Sequence, residues 1–345
     1  MKKLNKVLAL VLAGVMTLAL AACGGGAGAG SAADAAASTA DAAASAAASA
    51  VDSDKTYTVG ICQLVQHPAL DAATKGFKDA LTEKLGDKVT FDEQNAAGDS
   101  PTCTTICTGF VSSKVDLIMA NATPALTAAA SATDSIPILG TSVTDYGSAL
   151  DIKDWTGTTG KNISGTTDLA PLDEQAKMVK ELCPEAKNAG ILYCSAEANS
   201  KYQATEVKKQ LEDLGLTVTE YTFADSNDVA SVTQSACDAN DVLYVPTDNT
   251  AASCAEAINN VATPAKTPII AGEEGICQGC GIATLSIDYY DLGKATGEMA
   301  YEVLVNGADI STMEVQTAPK FTYKYMKDRC AELGITVPDT YEEIA

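Results

Sequence analysis

Asp116-Leu-Ile-Met-Ala-Asn-Ala-Thr-Pro-Ala-Leu126 and Asp241-Val-Leu-Tyr-Val-Pro-Thr-Asp-Asn-Thr-Ala251 share one plan. Each runs from an acidic residue through a short apolar strand into a Thr/Asn/Asp turn, then into an Ala-rich helix. Ile136-Pro-Ile-Leu-Gly-Thr-Ser142 and Thr267-Pro-Ile-Ile-Ala-Gly-Glu273 follow them as Pro-led apolar strands. Thr58-Val-Gly-Ile-Cys-Gln63 and Ala189-Gly-Ile-Leu-Tyr-Cys194 precede them, each leading into a helical pattern. Matching elements recur at offsets of roughly 125 to 131 residues, which predicts two similar α/β lobes. Ligands of open α/β sheets sit at the carboxyl ends of the strands, beside helix N-termini with unpaired N–H groups. The two polar turns are therefore expected to face each other across a cleft.

Strands and helices alternate through both copies, as in a parallel sheet covered on both faces. In the first, strands are expected at 57–63, 88–94, 116–120 and 137–140, with helices at 69–85, 102–113 and 124–133. Residues 141–165 hold the single tryptophan, Trp155, lack periodicity, and read as a cleft-side loop leading to a crossover. In the second, helices are expected at 171–182, 199–214, 228–238 and 251–261, and strands at 188–193, 216–222, 241–245 and 268–271. A helix at 290–306, a strand at 314–324 and a closing helix at 327–333 lie beyond the duplicated unit. Their presence implies that the chain returns to its first lobe and crosses again. The lobes are placed at 55–165 plus 288–315 and at 166–287 plus 316–345.

Met1-Lys-Lys-Leu-Asn-Lys6 is a basic leader, Val7 to Ala19 is apolar, and Leu20-Ala-Ala-Cys23 is a small-residue cleavage site. This resembles the lipobox of bacterial lipoproteins. The resemblance implies that 1–22 is a signal peptide and that Cys23 is lipidated at the extracytoplasmic face of the cell membrane. Residues 23–54 are Gly, Ala, Ser and Asp with almost no large apolar side chain, and are expected to be a flexible tether. The formal charge of −22, from 45 acidic against 23 basic residues, argues against nucleic-acid binding. Of eleven cysteines, Cys103 and Cys107 stand on one helix face, and Cys277-Gln-Gly-Cys280 has redox or metal spacing. With one His in the chain, structural or disulfide roles are favoured over metal.

Val59-Gly-Ile-Cys-Gln-Leu-Val-Gln-His-Pro-Ala-Leu-Asp-Ala-Ala-Thr-Lys-Gly-Phe77, Tyr244-Val-Pro-Thr-Asp-Asn-Thr250 and Ile287-Asp-Tyr-Tyr-Asp-Leu-Gly293 carry a specific resemblance. Over residues 57 to about 338 the chain resembles the substrate-binding lipoproteins of ABC importers, within the branch associated with aromatic amino acids. The resemblance implies a type I periplasmic-binding-protein fold with two Rossmann-like lobes and about three hinge crossovers, acting as a monomer with a permease and its ATPase. Cys194, Cys277 and Cys280 depart from the family pattern, and Cys194 puts the pocket shape beside it in doubt.

An amino acid needs donors for its carboxylate and an acid for its ammonium. Asn121, Thr123, Thr141 and Ser142 are the candidate donors. In the turn Thr247-Asp248-Asn249, Asp248 is the candidate ammonium partner, with Glu274 in reserve. Thr123 and Asp248 equally suit simple N-capping. Ser195, Glu197 and Asn199 either cap the next helix or reach the ligand. His67 either contacts ligand or begins its helix, the resemblance favouring contact. Tyr289 and Tyr290 either pack the hinge or wall the pocket. A single His without a nucleophile motif gives no basis for an enzyme, and no phosphate-binding GxxxxGK[ST] stretch occurs. No cofactor is expected. A ligand-sensing receptor or a binder of another small molecule on the same fold is the alternative.

Overall fold

The computed structural model describes residues 55–344. The leader, Cys23 and the 23–54 tether lie outside the described residues. In the first lobe β1 (Tyr57–Gln63), β2 (Val89–Asn95), β3 (Leu117–Asn121), β4 (Ile138–Val143) and β5 (Ile163–Thr167) lie parallel in the order 2-1-3-4-5. The second lobe repeats this with β6 (Asn188–Cys194), β7 (Thr217–Phe223), β8 (Val242–Val245), β9 (Ile269–Ala271) and β10 (Ala283–Ser286), ordered 7-6-8-9-10. The sequence duplication is thus a duplication of a doubly wound sheet. Central strands such as β3 and β8 are buried at every residue, because helices cover both faces. The edge strands β2 and β7 carry charged residues that discourage further pairing.

In the first lobe α1 (Pro68–Leu85), α2 (Ser100–Ser113), α3 (Thr123–Ala132) and α4 (Tyr146–Ala149) connect the strands. In the second these are α5 (Leu172–Leu182), α6 (Ala198–Asp213), α7 (Val229–Ala239), α8 (Asn249–Ser253), α9 (Ala255–Ala265) and α10 (Glu274–Cys280). The chain passes between lobes between β5 and α5, returns between β10 and α11 (Tyr289–Leu304), and crosses again between β11 (Gln316–Thr317) and β12 (Thr322–Tyr325). It ends with α12 (Lys327–Leu333) and β13 (Glu342–Glu343). These three crossings and two matching sheets are the type I periplasmic-binding-protein architecture. Helix α11 lies against α1 so closely that a Cβ on Gly76 or Gly293 would strike the opposing backbone.

Four expectations are corrected. The stretch 141–165 is not one loop, since β4 continues to Val143, α4 follows, and β5 begins at Ile163. Its sequence, Ile-Ser-Gly-Thr-Thr, is a weak strand signal, and pairing with β4 makes it a strand. The expected 314–324 strand is two short strands, β11 in the first sheet and β12 antiparallel in the second, separated by Pro319. As a result the first sheet runs to Thr167 and Thr317, two residues past each boundary placed from sequence. The expected 251–261 helix starts at Asn249 and breaks at Cys254, whose ψ of 14° is not helical. Helix α10 was not anticipated, because Glu-Gly-Ile-Cys-Gln-Gly-Cys has low helix propensity. Glu273 caps its start, and the guanidinium of Arg329 donates to the carbonyls of Cys277, Gln278, Gly279 and Gly281 at its end.

Candidate ligand-binding site

The turns after β1 and β8, at the carboxyl ends of the two sheets, meet across the lobes. The β1–α1 turn supplies His67, held extended by the Pro68 that starts α1. Its Nε2 lies 3.3 Å from Oδ1 of Asn249, which begins α8 in the other lobe. At the ends of β3 and β4, Ala122 and Ser142 have φ of 90° and 54°. Such left-handed conformations in non-glycine residues cost roughly 1–3 kcal/mol each and gather at functional sites. At these same turns the buried hydroxyls of Thr123 and Ser142 find no partner. His67 Nδ1 and Asn199 Oδ1 are likewise buried and unpartnered, so both lobes carry unmet polar atoms beside these turns.

Other expected residues have structural employment. Asn121 Nδ2 donates to the Leu70 carbonyl at 2.8 Å and to Thr74 Oγ1 at 2.9 Å, tying β3 to α1, while its Oδ1 is free. Thr141 joins a hydroxyl chain through Thr166 to Thr296. Ser195 is exposed and bonds the Phe223 carbonyl, and Thr247 Oγ1 donates to the Gly272 carbonyl. Glu197 accepts from the backbone and side chains of Asn249 and Thr250 and from Asn199 Nδ2, so it caps α8 from a distance. Both oxygens of Asp248 are taken by backbone N–H groups, those of Ala251 and Cys194, each at 2.7 Å. Burial and the neighbouring Glu197 charge push the Asp248 carboxyl up to about 7. Glu274 pairs with Lys324 at 2.7 Å and accepts from Ser286 at 2.6 Å. Neither expected ammonium partner is therefore free of other work.

Two buried carboxylates escaped the sequence reading. Asp168 follows β5 at the first crossing and accepts only from hydroxyls, Thr144 at 3.3 Å and Tyr289 at 2.9 Å. Burial raises its carboxyl to about 6. Glu273 ends the β9 turn, and burial raises it to about 7 despite bonds from the Gly275 and Ile276 amides. Asp168 is hidden from a sequence reading because β5 is a weak strand signal, and Glu273 because the adjacent Glu274 offers the same chemistry. Tyr289 is buried on Asp168, whereas Tyr290 reaches outward to Asp79. A cavity of about 530 Å³ opens beside this group, lined by Pro68, Ala69, Glu273, Glu274, Ile287 and Tyr289 among others. Its size suits a small organic ligand.

The ten cysteines among the described residues are free thiols, without the disulfides the sequence left open. Cys194 turns its sulfur to the Ala224 carbonyl at 3.5 Å while its N–H serves Asp248. Cys103 and Cys107 pack beside Cys62 in the first lobe's core, and Cys277 and Cys280 are buried on α10. Among the described residues no group of His, Cys, Asp and Glu is arranged to hold a metal ion.

Residues 58–345 match the model of the ABC transporter substrate binding protein family. The chain is 42% identical over 269 residues to a tyrosine-binding protein of Clostridioides difficile (strain R20291), covering 77% of each. It resembles the structure of an ABC domain from Streptococcus pneumonia in complex with L-Trp, with TM-score 0.80 and 33% identity over 84% of this chain and 100% of that one. It also resembles a ligand-free, open substrate-binding protein with adhesive properties from Clostridium difficile, with TM-score 0.64 and 38% identity over 84% and 99%. The chain belongs to the ABC transporter substrate-binding protein family.

Proposed function

We propose that this protein captures a zwitterionic amino acid with an aromatic side chain between its lobes and delivers it to an ABC permease. On this reading it is held at the extracytoplasmic face through a lipid on Cys23. The observation that carries the reading is the set of buried, unpartnered polar atoms contributed by both lobes, Thr123, Ser142 and His67 in the first and Asn199 in the second. The chain's one arginine, Arg329, is occupied by the carbonyls of α10, so a ligand carboxylate would be met by hydroxyls and backbone amides. The similarity to a tyrosine-binding protein and to an L-Trp complex supports an aromatic side chain. Closure follows from contacts that ligand makes to both lobes at once.

Thermal-shift and calorimetric screening of the twenty amino acids against residues 53–345 tests this. L-tyrosine, L-tryptophan or L-phenylalanine should raise the melting temperature and bind with a one-to-one stoichiometry. Stabilisation by a sugar or nucleoside, with no response to any aromatic amino acid, would overturn it. Replacing Cys23 with Ser should release the full-length protein from membranes.

A further inference from the structure

The geometry points to a second ligand site, a hinge-side cavity separate from the turns that meet across the lobes, which takes a small organic cation with two ammonium groups on an apolar chain. The cavity of about 530 Å³ is lined from both lobes and from two of the three crossings, by Ala69 and Ala72 of α1, Gln278 of α10, Asp288 at the second crossing and Pro319 at the third. His67, Thr123, Ser142, Asn199 and Asn249, which carry the unmet polar atoms and the contact between lobes, have no part in its wall. Strand order gives the reason. β10 and β12 lie at the edge of the second sheet where the chain crosses, and β9 separates them from β8, whose turn carries Asn249.

The floor of this cavity is a built polar surface. Residues directly opposite in an antiparallel pair share a face of the sheet, as do residues two apart on one strand. Thr284 pairs with Lys324 and Ser286 with Thr322, so the four side chains stand on one face of β10 and β12. Lys324, Ser286 and Thr322 line the cavity. Thr284, on the same face, is fully buried, and its hydroxyl has no partner. A buried hydroxyl left unmet costs free energy that a bound donor restores, directly or through a water. Ser286 and Lys324 both give their hydrogen bonds to Glu274, at 2.6 and 2.7 Å, so Lys324 is already neutralised.

Charge selects the occupant. Glu273, Glu274, Asp288, Asp291 and Glu342 outnumber Lys320 and Lys324 in the wall. Of these only Glu274 and Lys324 form an ion pair among the described residues. Asp291 stands in the first turn of α11 and Glu342 on β13, so unpaired acids border the cavity from the first lobe and from the second. Ala69, Ala72, Ile287 and Pro319 supply apolar surface. An ammonium has three donors and no acceptor, and two of them joined by methylenes match two acidic borders and an apolar wall.

Titration of the isotopically labelled protein with the alkyl diamine cadaverine, followed by amide chemical shifts, tests this, with pentylamine as the control. The solution holds about 0.15 M salt, which screens loose attraction to a chain of formal charge −22. Shifts should be confined to Gly275, Gln278, Ser286, Thr322 and their neighbours and should saturate at one equivalent. Pentylamine should bind about three- to fivefold more weakly, for want of the second charge. Asp291→Asn combined with Glu342→Gln should weaken cadaverine about tenfold, and Thr284→Val, which keeps the shape and removes the unmet hydroxyl, about fivefold. Shifts scattered over the acidic surface, or equal affinities for the diamine and the monoamine, would overturn the site. Shifts centred on His67, Thr123 and Asn249 would put the diamine at the turns between the lobes and overturn it equally.

Discussion

His67 Nε2 meets Asn249 Oδ1 at 3.3 Å across the cleft, and both side chains are buried. Asn249 Nδ2 is committed to Glu197 Oε2 at 2.6 Å, which presents the amide oxygen to the imidazole. Nε2 must then donate, and in a neutral ring Nδ1 is left as a buried acceptor. Burial holds the imidazole below its usual pKa, which favours that neutral form. The contact is thus a latch between lobes with a free acceptor on its inner side. Removing it with His67→Ala should weaken L-tyrosine binding about fivefold, the worth of one neutral hydrogen bond near 1 kcal/mol. Small-angle scattering at the same subsaturating L-tyrosine should show a larger radius for the variant than for wild type. An unchanged radius would show that closure does not depend on this pair.

Asp248 is expected to matter for stability more than for affinity. Asn in its place can accept one of the two backbone N–H groups but turns an amide N–H toward the other. Leaving a buried donor unmet costs roughly 1–3 kcal/mol, which urea unfolding should report. The dissociation constant for L-tyrosine should move by about threefold or less. A tenfold loss of affinity at unchanged stability would instead put Asp248 on the ligand.

The buried acids predict an unusual pH profile for the ligand-free protein. Asp168 faces Thr144, Tyr146, Tyr289 and Glu273, while Glu273 faces Asp168, Glu274, Tyr289 and Cys277, so no cation offsets either. Their folded values of about 6 and 7, and about 7 for Asp248, lie above those of unfolded carboxylates. The folded state therefore holds more protons than the unfolded state between about pH 4 and 7. Stability from these groups is fully present below about pH 4 and is lost as pH rises through 6 to 7. Melting temperature should accordingly fall from pH 5 to pH 8, and Asp168→Asn should flatten the fall. A melting temperature that climbs across that range would refute the arrangement.

Two helical glycines make a paired test of the α1–α11 contact. Gly293→Ala drives a methyl into the Ala73 backbone and should destabilise by roughly 1–3 kcal/mol or more. Gly109→Ala in α2 meets nothing within 4 Å and should stabilise by roughly 0.5–1 kcal/mol. Calorimetric melts of both variants check the signs. Equal and small effects would mean that the hinge helix is not packed as tightly as this.

The amino-acid sequence by itself determines the duplicated α/β plan. A strand covered on both faces must be apolar along its length, as Leu117 to Ala120 and Val242 to Val245 are, and the polar turn after it marks the cleft edge. Thr123, Ser142 and His67 are recoverable on that ground, because their place at strand ends follows from the local pattern. Tertiary structure alone decides what a carboxylate there does. Asp248 and Glu274 look suitable in the chain, but amides from β6 and the ammonium of Lys324 reach them only after folding. Asp168 and Glu273 gain their significance from what does not reach them. β5 and α10, which position the two acids, form because β4 and Arg329 complete them, and those partners are distant in sequence. Local pattern records which groups face the cleft, whereas the balance of charge there depends on long-range contacts that periodicity does not encode.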